Sequence, residues 1–98
     1  MNREQFLERY SKKIAAYIYS KAVLNSLNGE YNVTIKEIET TFCKPSTIRN
    51  SFSKDEELLD KIADELMYYE GILGVDYGNN VFSIILCKHY CKLYKEKN

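Results

Sequence analysis

A short polar segment, residues 44–54, contains the side-chain types that proteins use to read DNA bases. Arginine can donate two hydrogen bonds to guanine, asparagine can pair in the same way with adenine, and serine and threonine reach bases or phosphates. Lysines at the two ends of such a segment would contact phosphates, which position a protein on the duplex. The candidate DNA-binding residues are Lys44, Ser46, Thr47, Arg49, Asn50 and Lys54.

Two short helices joined by a tight turn would present these side chains. Pro45 is favoured only in the first turn of a helix, so it marks the start of the second one. Each helix then has one apolar face at helical spacing, formed by Ile35, Ile38 and Phe42 in the first and by Ile48 and Phe52 in the second. This pattern predicts a helix-turn-helix over residues 34–52. The alternative is a solvated helix in a small bundle, in which Ser, Thr and Asn only cap helix ends.

The residues before this segment predict a long helix and a short strand. Apolar residues recur every three or four positions and predict an amphipathic helix over residues 3–27, which Asn28 and Gly29 would end. The stripe consists of Phe6, Leu7, Tyr10, Ile14, Tyr17, Ile18, Ala22 and Leu24. Residues 31–33 would form a small edge strand, and Thr34 with Glu37 has the spacing of a capping box.

The residues after the segment predict an acidic helix, a hairpin and a last helix. Ser53 and Glu56 have capping-box spacing, so the acidic helix is expected over 54–70. Its apolar stripe is Leu58, Leu59, Ile62, Ala63, Leu66 and Met67. β-Branched and aromatic runs around Gly78, Asn79 and Asn80 predict a tight hairpin within 72–86, and helical spacing resumes over 87–96.

The predicted fold is a single domain over residues 1–98, mainly α with a small β-hairpin, of the winged helix-turn-helix type. In that arrangement the hairpin is the wing, and Asn79 and Asn80 at its tip are candidate DNA contacts. The tip lacks the Arg or Lys that a wing usually carries, so a plain hairpin that closes the core is the alternative.

The charge distribution leaves basic surface available for DNA. The formal net charge is zero. Residues 55–76 nevertheless carry eight acidic and one basic side chain, a net charge of −7, while residues 1–27 and 77–98 are each +3. A DNA-binding surface could form from the basic parts if the acidic helix points away. Most such charges, however, are simply the solvated sides of helices.

The tyrosine content points to a dimer. The chain has nine tyrosines, more than its core needs, and tyrosine is enriched at protein interfaces. Apolar residues on a second face of the first helix, Tyr19, Val23 and Leu27, form the predicted dimer interface together with Tyr17 of the main stripe. The alternative is that these side chains pack internally.

Enzymatic function, a metal and a cofactor are not expected from these residues. Cys87, His89 and Cys91 resemble metal ligands, but on a helix His89 points away from the two cysteines, and the spacing is not that of structural zinc sites. No apolar run is long enough to span a membrane. The odd cysteine number and an N-terminus without an apolar run predict a cytoplasmic protein.

The segment Phe42-Cys-Lys-Pro-Ser-Thr-Ile-Arg-Asn-Ser-Phe52 resembles the turn and recognition helix of TubR-like centromere-binding proteins, within the winged helix-turn-helix superfamily. The resemblance is close over about a tenth of the chain and otherwise rests on element order. It implies a homodimer that binds repeated DNA sites and presents them to a filament-forming tubulin-like GTPase. It also places DNA contacts on Lys44, Ser46, Thr47, Arg49 and Asn50, with backbone contacts near Asn79.

The expected function is therefore sequence-selective DNA binding by a dimer, as a partition adaptor, a transcriptional repressor or both. A protein-interaction module that acts through the acidic helix 54–70, without binding DNA, is the alternative from a different functional class.

Overall fold

The computed structural model describes residues 2–26, 28–42 and 55–89. Helix α1 spans Arg3–Asn25 and begins with a complete capping box, in which Asn2 caps the Gln5 amide and the Gln5 side chain returns to the Asn2 amide. The helix ends two residues before the predicted position 27. Asn28 and Gly29 then take positive φ values of 54° and 79° and turn the chain into the first strand. At Gly29 a Cβ atom would lie 2.9 Å from the Leu86 carbonyl oxygen, so glycine is required there.

The chain folds into a three-stranded antiparallel sheet with the order β1-β3-β2. Strand β1 spans Glu30–Thr34, β2 spans Ile72–Gly78 and β3 spans Val81–Leu86. The predicted short edge strand is therefore confirmed, and it pairs with β3 so that Val33 lies opposite Phe82. The predicted hairpin is also confirmed, because β2 and β3 are joined by Asn79 and Asn80 alone.

Helix α2 spans Ile35–Phe42 and follows β1 without a loop. Half of the predicted capping box is present, since the Glu37 amide donates to Thr34 Oγ1 at 3.1 Å. The Glu37 carboxylate does not return to the cap; it accepts the Tyr17 hydroxyl instead.

Helix α3 spans Glu56–Met67 and is therefore shorter at both ends than the acidic helix predicted over residues 54–70. Its N-cap is Asp55, whose carboxylate accepts the Leu58 amide, and the capping box predicted at Ser53 is wrong for this reason. Asp55 has a non-helical backbone, with φ −99° and ψ 79°. The acidic helix is thus an element of its own and does not continue a helix from the preceding segment.

One hydrophobic core joins the helices to a single face of the sheet. Helices α1 and α3 run in parallel, because Arg3 contacts Asp55 at one end and Tyr19 stacks on Tyr69 at the other. The fully buried large side chains are Ile14, Ile18 and Val23 of α1, Ile38 of α2, Leu58, Ile62 and Leu66 of α3, and Phe82, Ile84 and Leu86 of β3.

Two residues of the predicted apolar stripes lie outside this core. Leu24 and Met67 are 49% and 48% exposed, although the residues directly before them, Val23 and Leu66, are fully buried. The sequence pattern cannot show this, since helical periodicity gives the direction of a side chain and not whether a neighbour covers it.

The described residues thus form a mainly helical α+β fold with a small antiparallel sheet, as the sequence predicted for the class. The last predicted helix covers residues 87–96. Lys88 and His89 of this range are helical, and residues 90–96 lie outside the described residues. Cys87 instead continues from the sheet, with its amide bonded to the Gly71 carbonyl at 2.7 Å.

Candidate nucleic-acid interface

The six candidate residues of the predicted recognition segment, Lys44, Ser46, Thr47, Arg49, Asn50 and Lys54, lie outside the described residues. The residues on either side of this segment are described, and both are held against α1. Phe42 packs edge-on against the Tyr17 ring, with 5.4 Å between centroids. Asp55 accepts two hydrogen bonds from the Arg3 guanidinium, at 2.6 and 2.9 Å. The two residues that flank the segment, Phe42 and Asp55, therefore lie against the middle and the N-terminus of α1, respectively.

The tip of the hairpin is a tight turn in which both central residues are left-handed. Asn79 and Asn80 have φ values of 52° and 63°, the pattern of a type I′ turn. Asparagine tolerates this conformation better than most residues, which explains the Asn-Asn sequence. Both residues are exposed at the surface.

The same turn is bonded to the first residue of α2. The Asn80 carbonyl accepts the Ile35 amide at 2.8 Å, so the hairpin tip satisfies one of the free amides at the start of the helix. A shallow groove between the two elements is lined by Thr34, Ile35, Lys36, Glu39, Asn79, Asn80 and Val81. The structure therefore brings the predicted wing next to the first helix of the predicted helix-turn-helix.

One wall of the groove carries a basic side chain, Lys36, that was not among the DNA-binding residues predicted from the sequence. Lys36 is exposed in the first turn of α2, beside the turn that was noted for its lack of Arg or Lys. Only the pairing of Thr34 with Val81 brings Lys36 to the hairpin tip, and no local sequence signal reveals that pairing.

The acidic surface of α3 is partly neutralised within the chain. Arg3 binds both Asp55 and Glu57, and the hydrogen bond from Arg3 lowers the pKa of Asp55 below its usual value. Asp60 accepts a hydrogen bond from the Tyr77 hydroxyl, which raises the pKa of Tyr77 to about 12. Glu56 and Asp64 remain exposed on the same helix. A DNA duplex would be repelled from this side of the molecule.

The predicted dimer residues have partners inside the protomer. Tyr17 donates to Glu37 at 3.1 Å, and Tyr19 stacks on Tyr69 with 4.4 Å between ring centroids. Val23 is 0% exposed in the chain's own core. The assignment of Val23 to a dimer interface is therefore wrong, because its side chain is already covered; Leu27 lies outside the described residues.

The large apolar side chains that are exposed lie elsewhere on the surface. They are Leu24, Met67, Tyr68, Leu73 and Ile85, all near the end of the molecule opposite the hairpin tip. Leu73 and Ile85 are neighbours on the sheet, since Ile85 pairs with Gly74 beside the β-bulge.

Comparison with known proteins identifies no relative of this chain. No protein-family model, curated protein or solved structure matches it. Within the described part of the chain, no helix is both long and apolar enough to cross a bilayer. Within the same residues, no three His, Cys, Asp or Glu side chains are grouped so that they could hold a metal ion.

Proposed function

We propose that this chain is a non-enzymatic, sequence-selective DNA-binding protein of the winged helix-turn-helix type, and that it acts as a dimer. The observation that carries the proposal is the contact between α2 and the hairpin. Strand β1 runs directly into α2 and pairs with β3, and the Ile35 amide bonds to the hairpin tip at Asn80. This arrangement supports placing a wing beside a helix-turn-helix.

The base-reading role falls on the segment after α2. Arg49 would bind guanine and Asn50 adenine, with Ser46 and Thr47 reaching bases or phosphates. Lys44 and Lys54 would bind phosphates, and the exposed Asn79 and Asn80 would contact the backbone from the wing.

A second copy of the chain is part of the proposal because a single recognition segment has few basic side chains. Lys44, Arg49 and Lys54 are its basic residues, and affinity for DNA rises with the number of neutralised phosphates. Two copies would double that number and would match a site with two half-sites.

The more specific role we propose is that of an adaptor in a plasmid or phage partition system, or of a repressor, in the cytoplasm. It is supported by the resemblance of residues 42–52 to TubR-like centromere-binding proteins, and a tubulin-like GTPase filament would then be the protein partner.

Fluorescence anisotropy with duplexes from the neighbourhood of the chain's own gene tests DNA binding. We expect Arg49→Ala to cost about 1–3 kcal/mol on the preferred duplex and less on a scrambled one. Lys44→Ala should weaken binding to both duplexes equally. Lys61→Ala, on the acidic helix, is the matched control and should leave affinity unchanged or lower it only slightly, because Lys61 lies away from the proposed DNA-binding surface. Absence of binding by the wild type to any duplex would refute the proposal.

A protein-interaction module is the second candidate, and the exposed acidic side chains of α3 favour it. This helix has its own cap at Asp55 and exposes Glu56 and Asp64 to solvent. If the acidic surface is the functional one, reversing Asp60, Asp64 and Glu65 to lysine abolishes capture of the partner. Under the DNA-binding proposal, the same reversals strengthen DNA affinity at low salt.

A further inference from the structure

Three aromatic rings and three basic side chains lie along one side of α1. The rings are Phe6, Tyr10 and Tyr17, and the basic residues are Arg3, Lys13 and Lys21. Their spacing of three or four residues puts all six on the same side of the helix. Each basic group lies over the ring next to it, at 5.6 Å for Arg3 over Phe6, 6.0 Å for Lys13 over Tyr10 and 5.8 Å for Lys21 over Tyr17. We call this set the cation–aromatic row.

The members of the row differ in their remaining capacity to bind an anion. Arg3 is already bonded to Asp55 and Glu57, at 2.6 and 3.3 Å. Lys13 and Lys21 are exposed, and neither forms an ion pair with a described residue. The contact with an aromatic face restrains the ammonium group while leaving its N–H donors free.

The row lies beside the two described residues that flank the predicted recognition segment. Phe42, which precedes the segment, packs on Tyr17 of the row, and Asp55, which follows it, binds Arg3 of the row. A duplex that lies beside Phe42 and Asp55 would therefore face the side of α1 that carries Lys13 and Lys21. Three acidic residues contact the row: Asp55 and Glu57 bind Arg3, and Glu37 accepts the Tyr17 hydroxyl.

We infer that the cation–aromatic row is a phosphate-binding surface for duplex DNA, with Lys13 and Lys21 as the contacting residues. The inference rests on the proposed DNA-binding function and adds binding residues outside the helix-turn-helix and the wing. Eight residues separate the two lysines, or about 12 Å along the helix axis. That distance lets them contact different phosphates on one strand. The row supplies cations that the recognition segment lacks.

Lys12 provides a matched control on the same helix. It is one residue from Lys13 but lies on a different side, where it pairs with Glu8 at 3.3 Å. Replacing Lys12 by glutamine changes the formal charge as much as Lys13→Gln does. A difference between the two variants therefore reports position and not net charge.

The test measures how DNA affinity depends on salt concentration for wild type, Lys12→Gln, Lys13→Gln, Lys21→Gln and the double variant Lys13→Gln/Lys21→Gln. The probes are one duplex from the gene neighbourhood and one of scrambled sequence. Each phosphate contact contributes roughly 0.9 to the slope of log affinity against log salt, so the double variant should lose about 1.8. The loss should be equal on both duplexes, because phosphate contacts carry no sequence information. Lys12→Gln should keep the wild-type slope.

The possible outcomes separate the two proposals. If wild type binds DNA and the double variant has the slope of Lys12→Gln, the cation–aromatic row is not a phosphate-binding surface, although the DNA-binding function stands. If wild type binds no duplex, both proposals fail. Circular dichroism of each variant checks the fold, which the exposed Lys13 and Lys21 substitutions should leave intact.

Discussion

At the scale of single residues, Asp55 links two parts of the fold. Its carboxylate caps α3 by accepting the Leu58 amide at 3.1 Å, and it also binds the Arg3 guanidinium at 2.6 Å. Both interactions favour the ionised carboxylate, and the hydrogen bond from Arg3 is the larger cause of the lowered pKa of Asp55. Asp55 thereby fixes where α3 begins relative to α1.

Two substitutions of Asp55 separate these interactions. Asparagine keeps a capping oxygen and loses the ion pair, so Asp55→Asn should lower the free energy of unfolding by up to about 1 kcal/mol. Alanine loses the cap as well and should cost about 1 kcal/mol more. Urea unfolding at neutral pH measures both. If the two variants lose the same stability, Asp55 is not a functioning cap.

The ion pair also predicts a pH dependence. The pKa of Asp55 is lower in the folded state than in the unfolded state, so its contribution is present above about 3.9, the unfolded value. It is lost as the pH falls through the lower, folded value. Wild type should therefore lose its advantage over Asp55→Asn in acid. Urea unfolding of both proteins between neutral pH and about pH 3 measures this, and a difference that stays constant across that range contradicts the assignment.

At the scale of elements, the hairpin and α2 depend on each other. The type I′ turn is set by Asn79 and Asn80, and the Asn80 carbonyl then holds the first amide of α2. Strand β2 lies at the edge of the sheet, and the Asp76 side chain accepts the Tyr77 amide there. The Tyr77 N–H points away from β3, on the open edge of the sheet. Because Asp76 already accepts it, this N–H is not available to pair with a further strand.

Substitutions at Asn80 test whether the turn requires a residue that tolerates positive φ. Asn80→Gly keeps positive φ accessible and should leave the free energy of unfolding unchanged or slightly higher. Asn80→Ala should lower it by about 1 kcal/mol, because alanine is strained in the left-handed region. Thermal unfolding followed by circular dichroism measures the difference. Equal stability of the two variants would mean that the turn does not require positive φ at position 80.

At the scale of the whole molecule, a single core connects all the described elements. Ile62 of α3 is fully buried in the same cluster as Ile14 and Ile18 of α1 and Phe82 of β3. The molecule should therefore unfold in one cooperative transition, as most domains of this size do. The surface, in contrast, is divided by charge, with the acidic residues concentrated on α3 and basic ones along α1.

Truncation of Ile62 tests the common core. Ile62→Ala should lower the free energy of unfolding by about 2–5 kcal/mol, and Ile62→Val by about 0.5–1.5 kcal/mol. Circular dichroism reports the helices, and tyrosine fluorescence reports contacts such as that of Tyr19 with Tyr69. The two signals should share one midpoint in wild type and in both variants. Separate midpoints would show that α3 is not part of a common cooperative unit.

The sequence predicted an element well where that element depends on interactions between residues close together in the chain. The periodicity of apolar residues gave α1 and α3, and Gly78-Asn-Asn80 gave the hairpin turn, because such turns need residues that tolerate positive φ. Strand β1 was predicted only as a short edge strand over residues 31–33, and it extends one residue further at each end. The start of α3 was misplaced because two nearby sequences, at Ser53 and Asp55, both have capping potential, and only the second is the observed cap.

The sequence by itself therefore determined the class of fold, the approximate elements and the candidate residues of the recognition segment. Only the tertiary structure decided that Val23 is internal and that Lys36 lies at the hairpin tip. It also decided that Phe42 and Asp55, which flank that segment, lie on the side of α1 that carries Lys13 and Lys21. The physical reason is that periodicity and turn preferences act over a few neighbouring residues. Burial and the placing of charges depend instead on contacts between residues that are distant in the chain, such as Thr34 with Val81 and Arg3 with Asp55.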